Sequence, residues 1–132
     1  DLDLADRVSF AGNRPHVETL KWIKAADGFV LNSRYEGLSH TLLEVMFLGT
    51  PIVCSNVCGN PELVEDGVNG LLADFNDVAA IANRIGRILD DETLARSFAA
   101  RSREKVKFFE RETMYGKILA LFERLVAARK TA

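Results

Sequence analysis

The chain has 132 residues, 19 acidic and 17 basic side chains, a formal charge of −2 and 48% apolar residues. That is an ordinary globular composition, large enough for one domain with its own core but small for a complete two-domain enzyme. No stretch approaches the roughly 18 apolar residues of a membrane span, Asp1-Leu2-Asp3-Leu4 lacks signal-peptide character, and a slightly acidic chain without an aromatic-interleaved basic groove argues against nucleic acid as a partner; the expected setting is cytoplasmic.

In chain order, Asp1 to Arg7 reads as a helix tail or linker entering a strand at Val8–Ala11, which ends at Gly12. Asn13, Arg14 and Pro15 form a loop, and Val17, Leu20, Ile23 and Lys24 mark a short helix. Gly28–Asn32 is an apolar run of strand length, followed by Gly37, where a glycine permits a sharp change of direction. Beyond it Ser39 is placed to cap a helix, Thr41 and Glu44 have capping-box spacing, and Leu38, Leu42, Val45 and Met46 recur at helical intervals, with Leu42 and Val45 towards the sheet. Gly49 and Pro51 stop this helix, which is predicted from about Ser39 to Leu48.

Pro51–Cys54 reads as a strand buried on both faces. Ser55–Gly59 is the next loop. Asn60 is placed to cap and Pro61 to open a short helix through Glu65, closed by Asp66-Gly67, and Asn69-Gly70 turns into a strand at Leu71–Ala73. Asp77 caps a helix with Val78, Ile81, Ala82, Ile85, Ile88 and Leu89 on one face, broken at Asp90-Asp91. Another helix runs from Glu92 to about Lys107. The last, from about Arg111, carries Met114, Ile118, Leu121, Phe122 and Leu125 at helical spacing. Four strands alternating with helices predict an α/β fold, a Rossmann-like parallel sheet with flanking helices and ligand sites at the strand carboxyl ends. Residues 1–110 are expected to form that domain and residues 111–132 an amphipathic helix.

Cys54 and Cys58, the only cysteines, have C-x3-C spacing without a second ligand pair, so a zinc site is not supported and reduced thiols are expected, Cys54 in the core and Cys58 in a loop. His16 and His40 lack converging ligands. No G-x-G-x-x-G follows a strand and no Walker-type G-x-x-x-x-G-K-[ST] occurs, so no cofactor or metal is called for by the sequence. Residues 1–95 carry a net −8 and residues 96–132 a net +6. Such a basic tail suits either a solvated helix face or peripheral contact with an anionic membrane.

The chemistry concentrates between Ser33 and Pro51. A strand, a turn and a helix N-terminus make an anion site, because first-turn N–H groups and the positive end of the helix dipole face the crevice above the sheet. Glu36 and Glu44 beside it repel a bare phosphate and suit neutral donors such as sugar hydroxyls, a combination that points to a nucleotide-sugar. The spacing alone is equally compatible with Glu36 ending a strand in solvent and Glu44 decorating a helix.

Glu36 and Glu44 form E-x7-E within S-x-x-E-G-L-x-x-T-L-L-E, followed by Gly49, Pro51, Ile52 and Val53 as G-x-P-I-V. From about Val8 to Leu89 the chain resembles the C-terminal, donor-binding domain of GT-B glycosyltransferases, most closely the retaining glycosyltransferase family 4. The resemblance implies that Glu44 hydrogen-bonds the ribose hydroxyls, that Glu36 serves the transferred sugar as the catalytic carboxylate, and that main-chain N–H groups of Gly37, Leu38, Ser39, His40 and Thr41 hold the diphosphate. Gly12, Asn13 and Arg14 are implied for base contacts, and Gly59, with Pro61 and Glu62 as G-x-P-E, for the border of the donor crevice. A nucleotide-diphospho-sugar is thus expected as substrate. The family's basic pair, which neutralises the diphosphate, and its acceptor domain have no counterpart here, so the isolated chain is expected to be inactive. Val45 stands where a small alanine is common, and Phe47 is bulky; both are expected on the packing side of the helix. A related GT-B epimerase or phosphorylase, or a non-catalytic binding domain, are the alternatives, the phosphorylase disfavoured by the lack of a lysine in the motif.

Overall fold

A computed structural model describes residues 4–130; Asp1 to Asp3, Thr131 and Ala132, and with them part of the expected Asp1–Arg7 linker, lie outside the described residues. Three parallel strands, β1 (Phe29–Leu31), β2 (Ile52–Ser55) and β3 (Leu71–Ala73), pair in the order β1-β2-β3, with Phe29 opposite Ile52 and Val53 opposite Leu71. They alternate with α1 (His16–Ala25), α2 (His40–Leu48), α3 (Asn60–Leu63) and α4 (Val78–Asp90), followed by α5 (Glu92–Val106), a single 3-10 turn (Lys107–Phe109) and α6 (Arg111–Lys130). The α/β architecture with a parallel sheet and flanking helices is the one read from the sequence.

The central strand is covered on both faces, as a parallel sheet requires. Successive β2 residues serve opposite sides. Ile52 and Cys54 join Leu42, Val45, Met46, Leu63 and Val64 in one cluster, while Val53 joins Leu71, Ile88 and Phe98 in the other. Leu42, Val45 and Met46 are wholly buried, each side chain contributing about 1.5–3 kcal/mol relative to exposure; this face seats α2 on the sheet.

The boundaries of α2 follow its signals. Ser39 Oγ accepts from the Leu42 N–H at 3.4 Å, and Gly49 adopts the left-handed φ of 71° that only glycine takes without strain, its N–H returning to the Val45 and Met46 carbonyls. The Leu48 carbonyl accepts from Lys24 Nζ at 2.7 Å and from Arg103 Nη2 at 3.0 Å, so α1 and α5 both hold the far end of α2. Asp77 and Asp91 cap α4 and α5 through Ala80 N–H and Leu94 N–H, both at 2.9 Å.

Several expectations are corrected. Val8–Ala11 is not a strand: no described residue pairs with it, Phe10 is 95% exposed, and an extended segment without a ladder partner has nothing to hold it. Among the described residues the sheet therefore has three strands, not four. Asn60 does not cap; Gly59 precedes the helix and Asn60 lies within it, its fully buried side chain drawn into the core to bond the Ser55 carbonyl at 2.9 Å, and the helix ends at Leu63, where Val64 turns extended. Phe47 is 69% exposed rather than on the packing side, because one residue beyond Met46 turns it about 100° off the buried stripe. On α4, Ile88 is buried but Val78, Ala82 and Leu89 are exposed, so the apolar stripe is only partly used. The stripe on α6 is exposed throughout, and no residue of α6 before Lys130 is buried among the described residues.

Candidate functional site

The carboxyl ends of the strands are joined by a polar lattice. Ser55 Oγ donates to the Ser33 carbonyl at 2.7 Å and accepts from the Ser33 N–H at 3.2 Å, while Asn60 Nδ2 reaches the Ser55 carbonyl and Oγ. Asn32 and Asn76 exchange two bonds, Nδ2 to Oδ1 at 2.8 Å and Asn76 N–H to Asn32 Oδ1 at 3.1 Å, tying the β1 loop to the one after β3. These residues fix the loops that carry the motif; of them the sequence singled out only Asn60, and in a different role, as a helix cap. The sequence signal was a polar residue at the end of each of two apolar strands, of which β2 alone is buried throughout.

The loop from β1 to α2 and the loop from β2 to α3 meet at Gly59. Its N–H donates to the Glu36 carbonyl at 3.2 Å. A Cβ on Gly59 would fall on the Gly37 carbonyl oxygen and lie 2.7 Å from its carbon, so only glycine lets the two backbones come this close. Gly37 itself is different from expectation. It is outside the left-handed region, and a Cβ there would meet nothing within 4 Å; the turn does not require glycine, and the space above it is open.

From Gly37 to Thr41 the five consecutive backbone N–H groups have no acceptor among the described residues; the next, on Leu42, goes to Ser39 Oγ. They sit at the start of a nine-residue helix with its dipole behind them. The Glu36 carboxylate, half-buried beside them, also has no hydrogen-bond or ion-pair partner among the described residues. This arrangement offers donors to an anion, with one unengaged acceptor at its edge.

Glu44 is not half of a capping box with Thr41. Thr41 lies inside the helix, where its hydroxyl is past the capping position, and the Glu44 carboxylate crosses instead to α1, where His16 Nε2 lies 2.8 Å from Oε1. The pair is exposed, 66% for His16 and 39% for Glu44, so it is worth at most about 1 kcal/mol to the fold. A cleft of about 290 Å³ lined by Leu20, His40, Leu43, Glu44, Phe47 and Leu48 opens beside it. A cleft of about 570 Å³ between Glu65, Asn69 and α5 contains none of the motif residues, and its arginines are spent on carbonyls, Arg101 on Val68 and Arg103 on Leu48.

The structure thus brings Glu36, Gly37, Leu38, Ser39 and Gly59 together, and places His40, Thr41 and Glu44 on the adjoining turns of α2. Gly12, at φ 65°, and Asn13 make no described contact with this group; Arg14 is held by the Ala11 carbonyl at 2.8 Å, by Glu18 at 3.6 Å and over the Trp22 ring at 5.6 Å. Their link to the motif runs through His16, which sequence reasoning set aside. Cys54 and Cys58 are both free; burial and then the charge of Asp66 push the Cys54 thiol up to about 12, while Cys58 is exposed at φ 45°. No cluster of metal-binding side chains occurs among the described residues.

Against known proteins, the model of the family "Glycosyl transferases group 1" matches residues 1–105. The chain is 35% identical over 122 residues to the lipopolysaccharide core biosynthesis glycosyltransferase LpsE of Rhizobium meliloti, covering 92% of this chain and 35% of that protein. It is 39% identical over 105 residues to the O-antigen chain mannosyltransferase B of Escherichia coli, covering 80% and 27%. Among solved structures, sucrose-phosphate synthase from Thermosynechococcus elongatus superposes with a TM-score of 0.82 at 36% identity, over 95% of this chain and 32% of that one. Anabaena HepE in complex with UDP does so with 0.82 at 27% identity, over 92% and 33%. The chain spans about a third of the length of these relatives.

Proposed function

Since the chain belongs to the glycosyl transferases group 1, we propose that it is the donor-binding part of a retaining glycosyltransferase whose substrate is a nucleotide-diphospho-sugar. The observation that carries this reading is the run of five N–H groups from Gly37 to Thr41 at the N-terminus of α2, which with the Glu36 carboxylate at its edge have no partner among the described residues. Donors held in place by a seated helix stabilise the charge that grows on a leaving diphosphate as the glycosidic bond breaks. Glu36 steadies the oxocarbenium-like sugar by charge and position, Glu44 accepts from the ribose hydroxyls, and Gly12, Asn13 and Arg14 border the base. Gly59 keeps the two loops in contact around the crevice, and the open space over Gly37 admits the diphosphate against the backbone. A UDP complex of HepE and a UDP-Gal-dependent galactosyltransferase of Escherichia coli among the relatives support a nucleotide-sugar as ligand.

In this reading the acceptor part and the basic pair for the diphosphate belong to the rest of a longer protein, working in the cytoplasm or at the inner face of an anionic membrane, and residues 1–132 alone do not turn over substrate. Saturation-transfer NMR with UDP-, GDP- and ADP-sugars tests it. One nucleotide class is expected to show saturation of its ribose protons, lost in Glu44→Gln. Equal signals from wild type and variant would count against the assignment, and transfer to water or acceptor by the isolated chain would overturn its proposed inactivity.

A further inference from the structure

We propose that His16 is the positioning residue of the nucleoside site, holding Glu44 by one carboxylate oxygen and leaving the other for the ribose; this rests on the reading of Glu44 as the ribose ligand. Glu44 has two groups within reach by position. His40 is one turn earlier on the same helix, where residues four apart are neighbours, yet it takes no bond. The carboxylate instead meets His16 across 28 residues of sequence at 2.8 Å. An ionised carboxylate only accepts, so Nε2 carries the hydrogen, and it does so in both the neutral tautomer that fits here and the imidazolium. Oε2 keeps no partner among the described residues.

The placement of His16 joins two walls. It is the first residue of α1, directly after the Gly12–Arg14 loop, and among the described residues its imidazole bonds only Glu44. Two cations of this part of the chain are engaged elsewhere, Arg14 with Ala11 and Glu18 and Lys24 with the Leu48 carbonyl. A pair this exposed contributes little to folding. What it does is order a flexible glutamate before ligand arrives, and pre-ordering one side chain is worth roughly two- to tenfold in affinity.

The experiment uses whichever of UDP, GDP and ADP binds the chain most tightly by NMR titration, alongside its 2′,3′-dideoxy form, which lacks the hydroxyls Glu44 would accept from. Wild type is expected to prefer the ribonucleotide. His16→Ala loses roughly two- to tenfold in affinity for the ribonucleotide and nothing for the dideoxy form, with an unchanged melting temperature. His16→Gln, whose amide donates from a similar reach, restores the preference. A His16→Ala chain that keeps its preference while Glu44→Gln loses it overturns the role of His16 alone, as does an equal loss for both nucleotides. Absence of any preference in wild type, or of nucleotide binding, overturns the reading of Glu44 and this role with it.

Discussion

Gly59→Ala probes the contact that closes the site. At φ −78° and ψ −11° the backbone of residue 59 suits alanine, and the substitution would by itself stabilise by about 0.4–1 kcal/mol through the unfolded chain. The new methyl, however, overlaps the Gly37 carbonyl, 2.7 Å from its carbon and 3.3 Å from the Leu38 nitrogen. These are backbone atoms of a loop tied to β2 through Ser33 and Ser55, so relief requires the loops to part by on the order of an ångström. That breaks the Gly59 N–H bond to the Glu36 carbonyl, about 1 kcal/mol, and adds an overpacking cost of about 1–3 kcal/mol. The net loss is about 1–3 kcal/mol, a fall in Tm of roughly 3–12 °C by circular dichroism, with amide shifts moving from Glu36 to Ser39. Gly37→Ala is the partner experiment. Its methyl meets nothing within 4 Å, so Tm holds while nucleotide affinity drops. A Gly59→Ala chain as stable as wild type, with its Glu36 and Gly37 amides in place, would refute the argument.

Two further perturbations follow from the same geometry. Cys54, raised to about 12 from 9.0, keeps its proton in the folded chain while the unfolded chain loses it, so its contribution is complete below about pH 9 and lost as pH rises towards 12; urea melts at about pH 8 and about pH 10.5 should differ by about 2 kcal/mol more in wild type than in Cys54→Ala, and a thiol reagent at neutral pH should label Cys58 alone in the native state. Gly49→Ala forces a left-handed alanine and pushes its methyl into the Arg103 guanidinium, so a loss of about 1–3 kcal/mol is expected in urea, with an unchanged midpoint contradicting the cap.

Local signals carried the sequence a long way, and their reach explains where it stopped. Ser39, the 42, 45, 46 stripe, Gly49 and Pro51 all speak for α2 within one stretch of chain, and the helix appears within a residue of its expected bounds. Val8–Ala11 has strand composition, but a strand exists only by pairing, and composition does not report a missing neighbour. Glu44 and Thr41 have the right separation for a capping box; the spacing could not say that the helix begins one residue before Thr41 or that His16 stands opposite. The Gly59 contact and the Ser33, Ser55, Asn60 lattice join loops some twenty residues apart, which no window along the chain can see. Of the candidate site, the stretch from Glu36 to Glu44 was readable because its residues follow one another; the residues that hold it in place were not.

The two cations on the Leu48 carbonyl have a mechanical consequence. Lys24 comes from α1 and Arg103 from α5, and both grip the end of α2 opposite to its open N–H groups. With Leu42, Val45 and Met46 sunk in the core, α2 can neither slide along its axis nor roll without breaking a bond at its rear. In the proposed donor site, a charge pulling on the front of this helix works against a rod held at its rear: any movement of α2 towards it costs both bonds and the packing of the buried face.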